Sequence, residues 1–283
     1  MEIPFHVNLK DKVAVVTGGG GMLCSCFAKA LAQCGVKVAV MSRRQTSAAK
    51  VAKEIQENGG EAIAIAANVL DKQSLEQAKQ QISGTFGKCN ILINGAGGNH
   101  PKGTTDKEYL YKEDLNCEQL TTFFDLDLEG VRSVFDLNFL GTLLTTQVFA
   151  KDMAGQDGNV IVNISSMNAY TPLTKIPAYS GAKAAVSNFT RWLAVHMSKA
   201  GIRVNAIAPG FFLTAQNKRL LCREDGTYTE RAQKILEQTP LDRFGDPEDL
   251  IGTLLWLVSD QASRFVTGTV IPVDGGFSAY SGV

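Results

Sequence analysis

Tyr179 and Lys183 stand four residues apart in the run Tyr179-Ser180-Gly181-Ala182-Lys183, and Ala185, Phe189, Trp192 and Leu193 carry the segment on at helical spacing. Both side chains therefore share one helix face and can meet one ligand. A free phenol ionises at about 10, and an ammonium beside it favours the phenolate, which moves Tyr179 toward the range useful for general acid/base chemistry. Taken alone, a tyrosine and a lysine at this spacing are an ordinary surface pair. Ser166 changes that reading, because it follows the apolar run Val160 to Ile164 and a loop of about a dozen residues returns the chain to Tyr179. Its hydroxyl could hold a carbonyl oxygen, whereas a serine at a strand end on its own reads as a turn or cap residue.

A second constellation lies near the amino terminus. The apolar run Val13 to Val16 leads into Thr17-Gly18-Gly19-Gly20-Gly21-Met22-Leu23, after which Leu23, Phe27, Ala30 and Leu31 recur at helical spacing. A strand, a glycine turn and a helix in this order bring free backbone N–H groups toward a pyrophosphate. A glycine connection can also be purely structural, so its place after the first strand carries the weight. At the end of the second apolar run, where a ribose-reading acid would stand, the chain has Met41-Ser42-Arg43-Arg44. Guanidinium groups favour a 2′-phosphate over a free 2′-hydroxyl, which favours NADP(H) over NAD(H), with a solvated turn arginine as the competing account.

These residues need a scaffold. Short β-branched runs recur at Val13 to Val16, Val36 to Met41, Ala62 to Ala66, Ile91 to Ile93, Val160 to Ile164, Val204 to Ala208 and Val270 to Val273, with helical periodicity between most of them. Asp71 can cap a helix ending near Thr85, with Leu70 and Leu75 as a hydrophobic staple, and Gly59 with Gly60 closes the helix before it. Alternation of strand and helix, with nearly continuous apolar strands, predicts an α/β Rossmann-type doubly wound parallel sheet covered by helices on both faces. No linker divides residues 1–283, so a single domain is expected. Residues 98–128 form a polar, irregular insert, and residues 211–240 are expected to close over substrate as a lid. Asp246-Pro247-Glu248-Asp249 reads as a helix start without chemistry.

Twenty-eight Lys and Arg balance 28 Asp and Glu, so no net field draws the chain to nucleic acid or an anionic membrane, and a small-molecule partner is the better expectation. The six cysteines include no C-x-x-C pair and no zinc spacing, which predicts no metal site. Residues 1–10 are too polar for a secretory signal, and a cytoplasmic location is expected.

Taken in order, Thr17-Gly18-Gly19-Gly20-Gly21, Asn94-Gly95-Ala96-Gly97, Asn138, Ser166, Tyr179-x-x-x-Lys183, Pro209-Gly210 and Asp274-Gly275-Gly276 resemble the short-chain dehydrogenase/reductase family over nearly the whole chain. The resemblance implies an NAD(P)-dependent oxidoreductase. Tyr179 would exchange a proton with substrate oxygen, Lys183 would hold the nicotinamide ribose, Ser166 would orient the carbonyl, and Asn138 would anchor a relay water. Gly18, Gly20, Gly21, Met22 and Leu23 would cradle the cofactor, with Ser42, Arg43 and Arg44 at its ribose and Asn68 and Val69 at the adenine. Asn94, Ala96 and Gly97 would run along it, and Pro209, Gly210, Phe212 and Thr214 would meet the nicotinamide. Met22 and Cys24 replace glycines usual in the family, and Asn68 replaces an aspartate.

Within the family, Gly97 to Pro101, Phe123 to Asp127, Ser165 to Ala169 and Phe277 to Val283 resemble the D-mannonate oxidoreductase (fructuronate reductase) branch. This implies a sugar-acid substrate, D-fructuronate or D-mannonate, and a homotetramer. Asn99, His100, Asn168 and Lys175 are candidates, beside Ser166, for holding the hexuronate, although His100 could equally stabilise the insert. Another sugar acid such as 5-ketogluconate, a polyol, or a non-catalytic NADP(H) sensor are the competing readings.

Overall fold

The computed structural model describes residues 7–156, 158–213 and 221–282. Seven strands form one sheet, β1 (Val13–Thr17), β2 (Lys37–Ser42), β3 (Ala62–Ala66), β4 (Ile91–Asn94), β5 (Asn159–Ile164), β6 (Ile202–Pro209) and β7 (Val270–Val273). All neighbours are parallel, in the order β3-β2-β1-β4-β5-β6-β7. The order reverses between β1 and β4, which opens a crevice at the carboxyl ends of those strands.

Alternation along each strand decides which face a side chain joins. Ala14 and Val16 belong to one core with α1 (Met22–Gln33), α2 (Gln45–Glu57) and α8 (Ile251–Val258), while Val13 and Val15 belong to a second core on the opposite face. There α3 (Lys72–Phe86), α5 (Gly141–Met153) and α6 (Pro177–Met197) cover the sheet. Burial on both faces explains why these strands read as unbroken apolar runs. Shorter helices α4 (Leu128–Phe135), α7 (Glu230–Glu237) and α9 (Asp260–Ser263) complete the set among the described residues.

The expected strands lie within two residues of the observed ends. Asp71 caps α3 as expected, accepting from the Gln73 and Ser74 N–H groups at 2.9 and 3.2 Å. The staple is corrected: Leu75 is fully buried, but Leu70 is 40% exposed on the cavity rim. The insert contains three short 3-10 turns, Pro101–Gly103, Lys112–Asn116 and Phe123–Asp125. Of the expected lid, Phe211 to Leu213 and residues 221–240 are described, including α7, and Lys234 Nζ reaches Glu108 of the insert at 3.3 Å.

Burial separates the two leucines energetically. Leu75→Ala is expected to cost about 2–5 kcal/mol in denaturant unfolding and Leu70→Ala about 0.5 kcal/mol or less. Equal losses would restore the staple.

Candidate active site

A cavity of about 780 Å³ opens at the carboxyl ends of the central strands. One wall is the glycine turn, Gly18 and Gly20 to Leu23, and Ser42, Arg43 and Arg44 follow from β2. Asn68 and Val69 after β3 border it, as do Ala96 and Gly97 after β4. Ser166, Tyr179 and Lys183 line the same space, with Pro209, Gly210 and Phe212 closing it from β6. Thr214 lies outside the described residues. No carboxylate lines the cavity among those residues.

The turn is built for close approach. Gly18 has a φ of +66°, and a Cβ there would stand 2.8 Å from the Gly95 carbonyl oxygen. The Gly20 N–H donates to Ser42 Oγ at 3.2 Å, which ties the turn to the end of β2. Unlike α3, which Asp71 caps, α1 begins at Gly21 with no side-chain cap, and its first turn carries no acid, so its leading N–H groups remain for an anion. The residues present therefore fit a dinucleotide pyrophosphate.

Cys24 shows how the turn tolerates its unusual residues. Its Sγ packs against Gly95, where any Cβ would collide with the sulfur, so the missing side chain at residue 95 makes room for the thiol at residue 24. Burial pushes that thiol up to about 12, which leaves it a packing group. Thr17 Oγ1 accepts from the Gly95 and Ala96 N–H groups at 2.9 and 3.1 Å and locks the ends of β1 and β4 together.

Asn94 does not line the cavity. It is buried beneath it, donating to Thr146 Oγ1 and Asn163 Oδ1, both at 2.9 Å. The chain of bonds continues from Asn163 to Thr190 in α6, and from Thr146 to the Thr142 carbonyl, whose residue in turn bonds the Asn138 carbonyl. Asn94 thus aligns β4, β5, α5 and α6 below the site. Thr142, Thr146, Asn163 and Thr190 escaped the sequence reading. Their signal was polar residues inside apolar elements, such as asparagine in Val160-Ile161-Val162-Asn163-Ile164.

Asn138 sits in a π-helical turn, Asp136–Leu140, between α4 and α5. Its side chain donates to the Gly98 and Val134 carbonyls at 2.7 and 2.8 Å and accepts from the Gly98 N–H at 3.2 Å. The amide thereby clamps the root of the insert.

Tyr179 and Lys183 project from the first turns of α6. Lys183 is only 4% exposed, and its Nζ donates to the Ile164 carbonyl at 2.8 Å, 5.6 Å from the centre of the Tyr179 ring. Ser166 and the Tyr179 hydroxyl share one wall of the cavity, and the Ser166 hydroxyl favours the ionised phenol. Burial pushes that hydroxyl up to about 12 against the opposing pull of Ser166, and burial pushes Lys183 down to about 8. The expected lowering of the tyrosine is therefore corrected: in the free protein desolvation raises it, and the Lys183 ammonium donates to the Ile164 carbonyl.

The four hexuronate candidates divide into two pairs. Asn99 Nδ2 donates to Thr104 Oγ1 at 2.9 Å, and His100 Nδ1 accepts from the Lys102 N–H at 3.2 Å, so both hold the insert's first turn. Asn168 and Lys175 lie on the connection between Ser166 and Tyr179, and their side chains have no partner among the described residues. Among those residues, no group of three or more His, Cys, Asp and Glu could hold a metal, and no helix is long and apolar enough to cross a membrane.

The chain is similar to known proteins along its length. The short chain dehydrogenase model matches residues 12–224. A Haemophilus influenzae protein with a provisional D-mannonate oxidoreductase name, solved with bound NAD, is 57% identical, each chain covering 100% of the other, with a TM-score of 0.94. An uncharacterized oxidoreductase of Bacillus subtilis, UxuB, is 55% identical over 281 residues, 99% of this chain and 100% of its own. A 7α-hydroxysteroid dehydrogenase in complex with NADH and 7-oxo glycochenodeoxycholic acid is 30% identical, with 98% of each chain covered and a TM-score of 0.83. With a parallel sheet reversing at β1 and β4 and Ser166, Tyr179 and Lys183 on one cavity wall, this oxidoreductase chain belongs to the short-chain dehydrogenase/reductase family.

Proposed function

We propose that the chain interconverts D-fructuronate and D-mannonate by hydride transfer, with NADP(H) favoured over NAD(H). The observation that carries the reaction type is Ser166 and Tyr179 lining, beside buried Lys183, the cavity that the glycine turn walls. The relative named provisionally as a D-mannonate oxidoreductase, 57% identical along the full length, supports the substrate.

A bound nicotinamide supplies hydride to the keto carbon in reduction and accepts it in oxidation. Ser166 holds the carbonyl oxygen. As hydride arrives, the Tyr179 hydroxyl gives its proton to the nascent alkoxide, and the Lys183 ammonium lowers the energy of the phenolate left behind. A tyrosine held high is a neutral donor at physiological pH, suited to reduction. Gly97 admits no side chain, since a Cβ there would stand 3.2 Å from Lys183 Nζ and 2.6 Å from Asn138 Oδ1.

For the cofactor, Arg43 and Arg44 are exposed at the cavity edge, with no carboxylate partner among the described residues. Two unpaired guanidiniums and no facing acid favour a 2′-phosphate. The NAD held by the Haemophilus relative makes this preference the point to test. A homotetramer in the cytoplasm completes the proposal, supported by apolar side chains left uncovered on α6, where Trp192 is 56% exposed.

Turnover is expected with fructuronate or mannonate above other uronates, ketogluconates and polyols, measured by cofactor absorbance; a preference for a polyol would refute the substrate. Arg43→Ala should lower kcat/KM for NADPH about tenfold or more relative to NADH. An unchanged ratio removes Arg43 from cofactor choice.

The pH dependence follows from Lys183. In the free enzyme its proton leaves as pH rises through about 8, so kcat/KM for reduction should fall there, whereas Tyr179 keeps its proton. Between about 8 and its ordinary 10.5 the unfolded chain holds a proton that the folded chain has released, so this group adds stability as pH rises through that window. Lys183→Met should therefore abolish most turnover while keeping or raising the pH 7 thermal midpoint, with any gain shrinking toward pH 10. A large loss of midpoint would show that the Lys183–Ile164 bond holds the fold.

A further inference from the structure

Asp274-Gly275-Gly276 begins at the end of β7, and across the sheet it meets the wall of the cofactor cavity. Pro209 pairs with Val273, the Gly210 N–H donates to the Val273 carbonyl at 2.9 Å, and a Cβ at Gly210 would stand 2.6 Å from Asp274 Cα. The two strand ends therefore touch backbone to backbone. Two successive left-handed residues, Gly275 at a φ of +64° and Gly276 at +90°, then reverse the chain. The Asp274 carboxylate accepts from the Gly276 and Ser278 N–H groups at 3.0 and 2.9 Å, and the Leu241 N–H donates to the Gly275 carbonyl at 3.1 Å. A turn tied in this way has little freedom. It delivers Phe277, 6% exposed, edge-on to Phe211, with ring centres 5.2 Å apart and planes at 69°.

Phe211 stands in an unusual place. It lines the cofactor cavity, and together with Phe212 it also lines a second cavity of about 250 Å³ bounded by Leu241, Arg243 and Asp249. This stretch of chain is a partition between two spaces. In a close-packed core a side chain is held by contact on every side, whereas a partition lacks those contacts where it borders open space. The Phe211 backbone is fixed, since its carbonyl accepts from the Gly245 N–H at 2.9 Å. Its ring relies on Phe277 and on the small core around α7, to which Leu221, Ile235 and Phe244 belong.

We propose that Phe277 is a positioning residue of the reaction, acting through Phe211: the C-terminal turn fixes the Phe211 ring, and that ring steadies the wall against which the nicotinamide lies. The inference rests on the reading of Pro209, Gly210 and Phe212 as the nicotinamide wall. Hydride transfer tolerates little displacement, and a misplacement of about 1 Å caused far from the chemistry can cost about a hundredfold in rate. Phe277 is thus remote from the reacting atoms yet governs their approach. The adenosine half of the cofactor, held at the glycine turn and the end of β2, lies outside its influence.

Phe277→Leu, Phe211→Leu and the double variant are compared with wild type. Dissociation constants are measured for the dinucleotide and for its ADP-ribose portion, which lacks the nicotinamide, and hydride transfer is followed by cofactor absorbance in a single turnover at saturating cofactor and substrate. Phe277→Leu should slow hydride transfer about tenfold and weaken the dinucleotide, while ADP-ribose binds within about twofold of wild type. Phe211→Leu should be slow alone, and adding Phe277→Leu to it should cost no more than about a further twofold, because both changes act on one contact. Partial unfolding lowers the amplitude of the turnover and the thermal midpoint but leaves the rate of the folded fraction. Phe277→Met takes the place of Phe277→Leu if the latter does not fold. A wild-type rate in the Phe277 variant, equal losses of dinucleotide and ADP-ribose, or effects that multiply in the double variant would overturn the role of Phe277. If Phe211→Leu itself transferred hydride at the wild-type rate, the nicotinamide would not lie against this wall, and that placement would fall as well. The identity of the sugar acid does not enter, since any ketone or alcohol that wild type turns over serves.

Discussion

A positive charge is held in the protein interior beside a phenol, and the site is arranged around that fact. Lys183 loses most of its hydration on folding, and one carbonyl, that of Ile164, accepts from its ammonium. Burying an ammonium is unfavourable unless hydrogen bonds and nearby dipoles replace the water it gives up. Ser165 Oγ bonds the Lys183 carbonyl and Ser187, which fixes this turn of α6 against β5. Gly97 keeps the space beside Nζ free of side chain, and the Asn138 amide holds the neighbouring Gly98 from both of its backbone groups.

The departures from the family pattern are local and compensated. A thiol occupies the space a glycine usually leaves at residue 24, and a glycine at residue 95 receives it. Helix and strand still approach closely, and the free N–H groups at the start of α1 still face the cavity. Beneath, a ladder of asparagine and threonine side chains joins β4, β5, α5 and α6. Directional bonds of this kind fix the relative height of elements that apolar packing alone would let slide, although Asn94 Oδ1 itself is buried without a partner among the described residues.

The insert serves as a support. Its first turn is held by Asn99 and His100 and its middle by the Lys107–Asp114 pair, while the Thr105 N–H ties it to the Lys175 carbonyl and Glu108 pairs with Lys234 of α7. Asn99 and His100, candidates for a carboxylate, also hold the first turn of that support. Exposed rim pairs such as Glu108–Lys234 add little stability and act mainly by orienting the segments they join.

Local chemistry was readable from the chain alone. Alternating strands and helices, the glycine turn, the Asp71 cap, and the Tyr179 and Lys183 spacing depend on short-range periodicity and backbone sterics, and the structure keeps them. Order along the chain also revealed the family, because its motifs recur at the strand ends that face one crevice. What required the tertiary structure was the environment of each group. Whether Tyr179 is pushed up or down depends on burial against charge, whether Asn94 meets the cavity or the core depends on which way β4 presents it, and whether His100 or Lys175 is free depends on partners far away in sequence. Desolvation and long-range partnership are set by all the surrounding elements at once, and no window of sequence contains them.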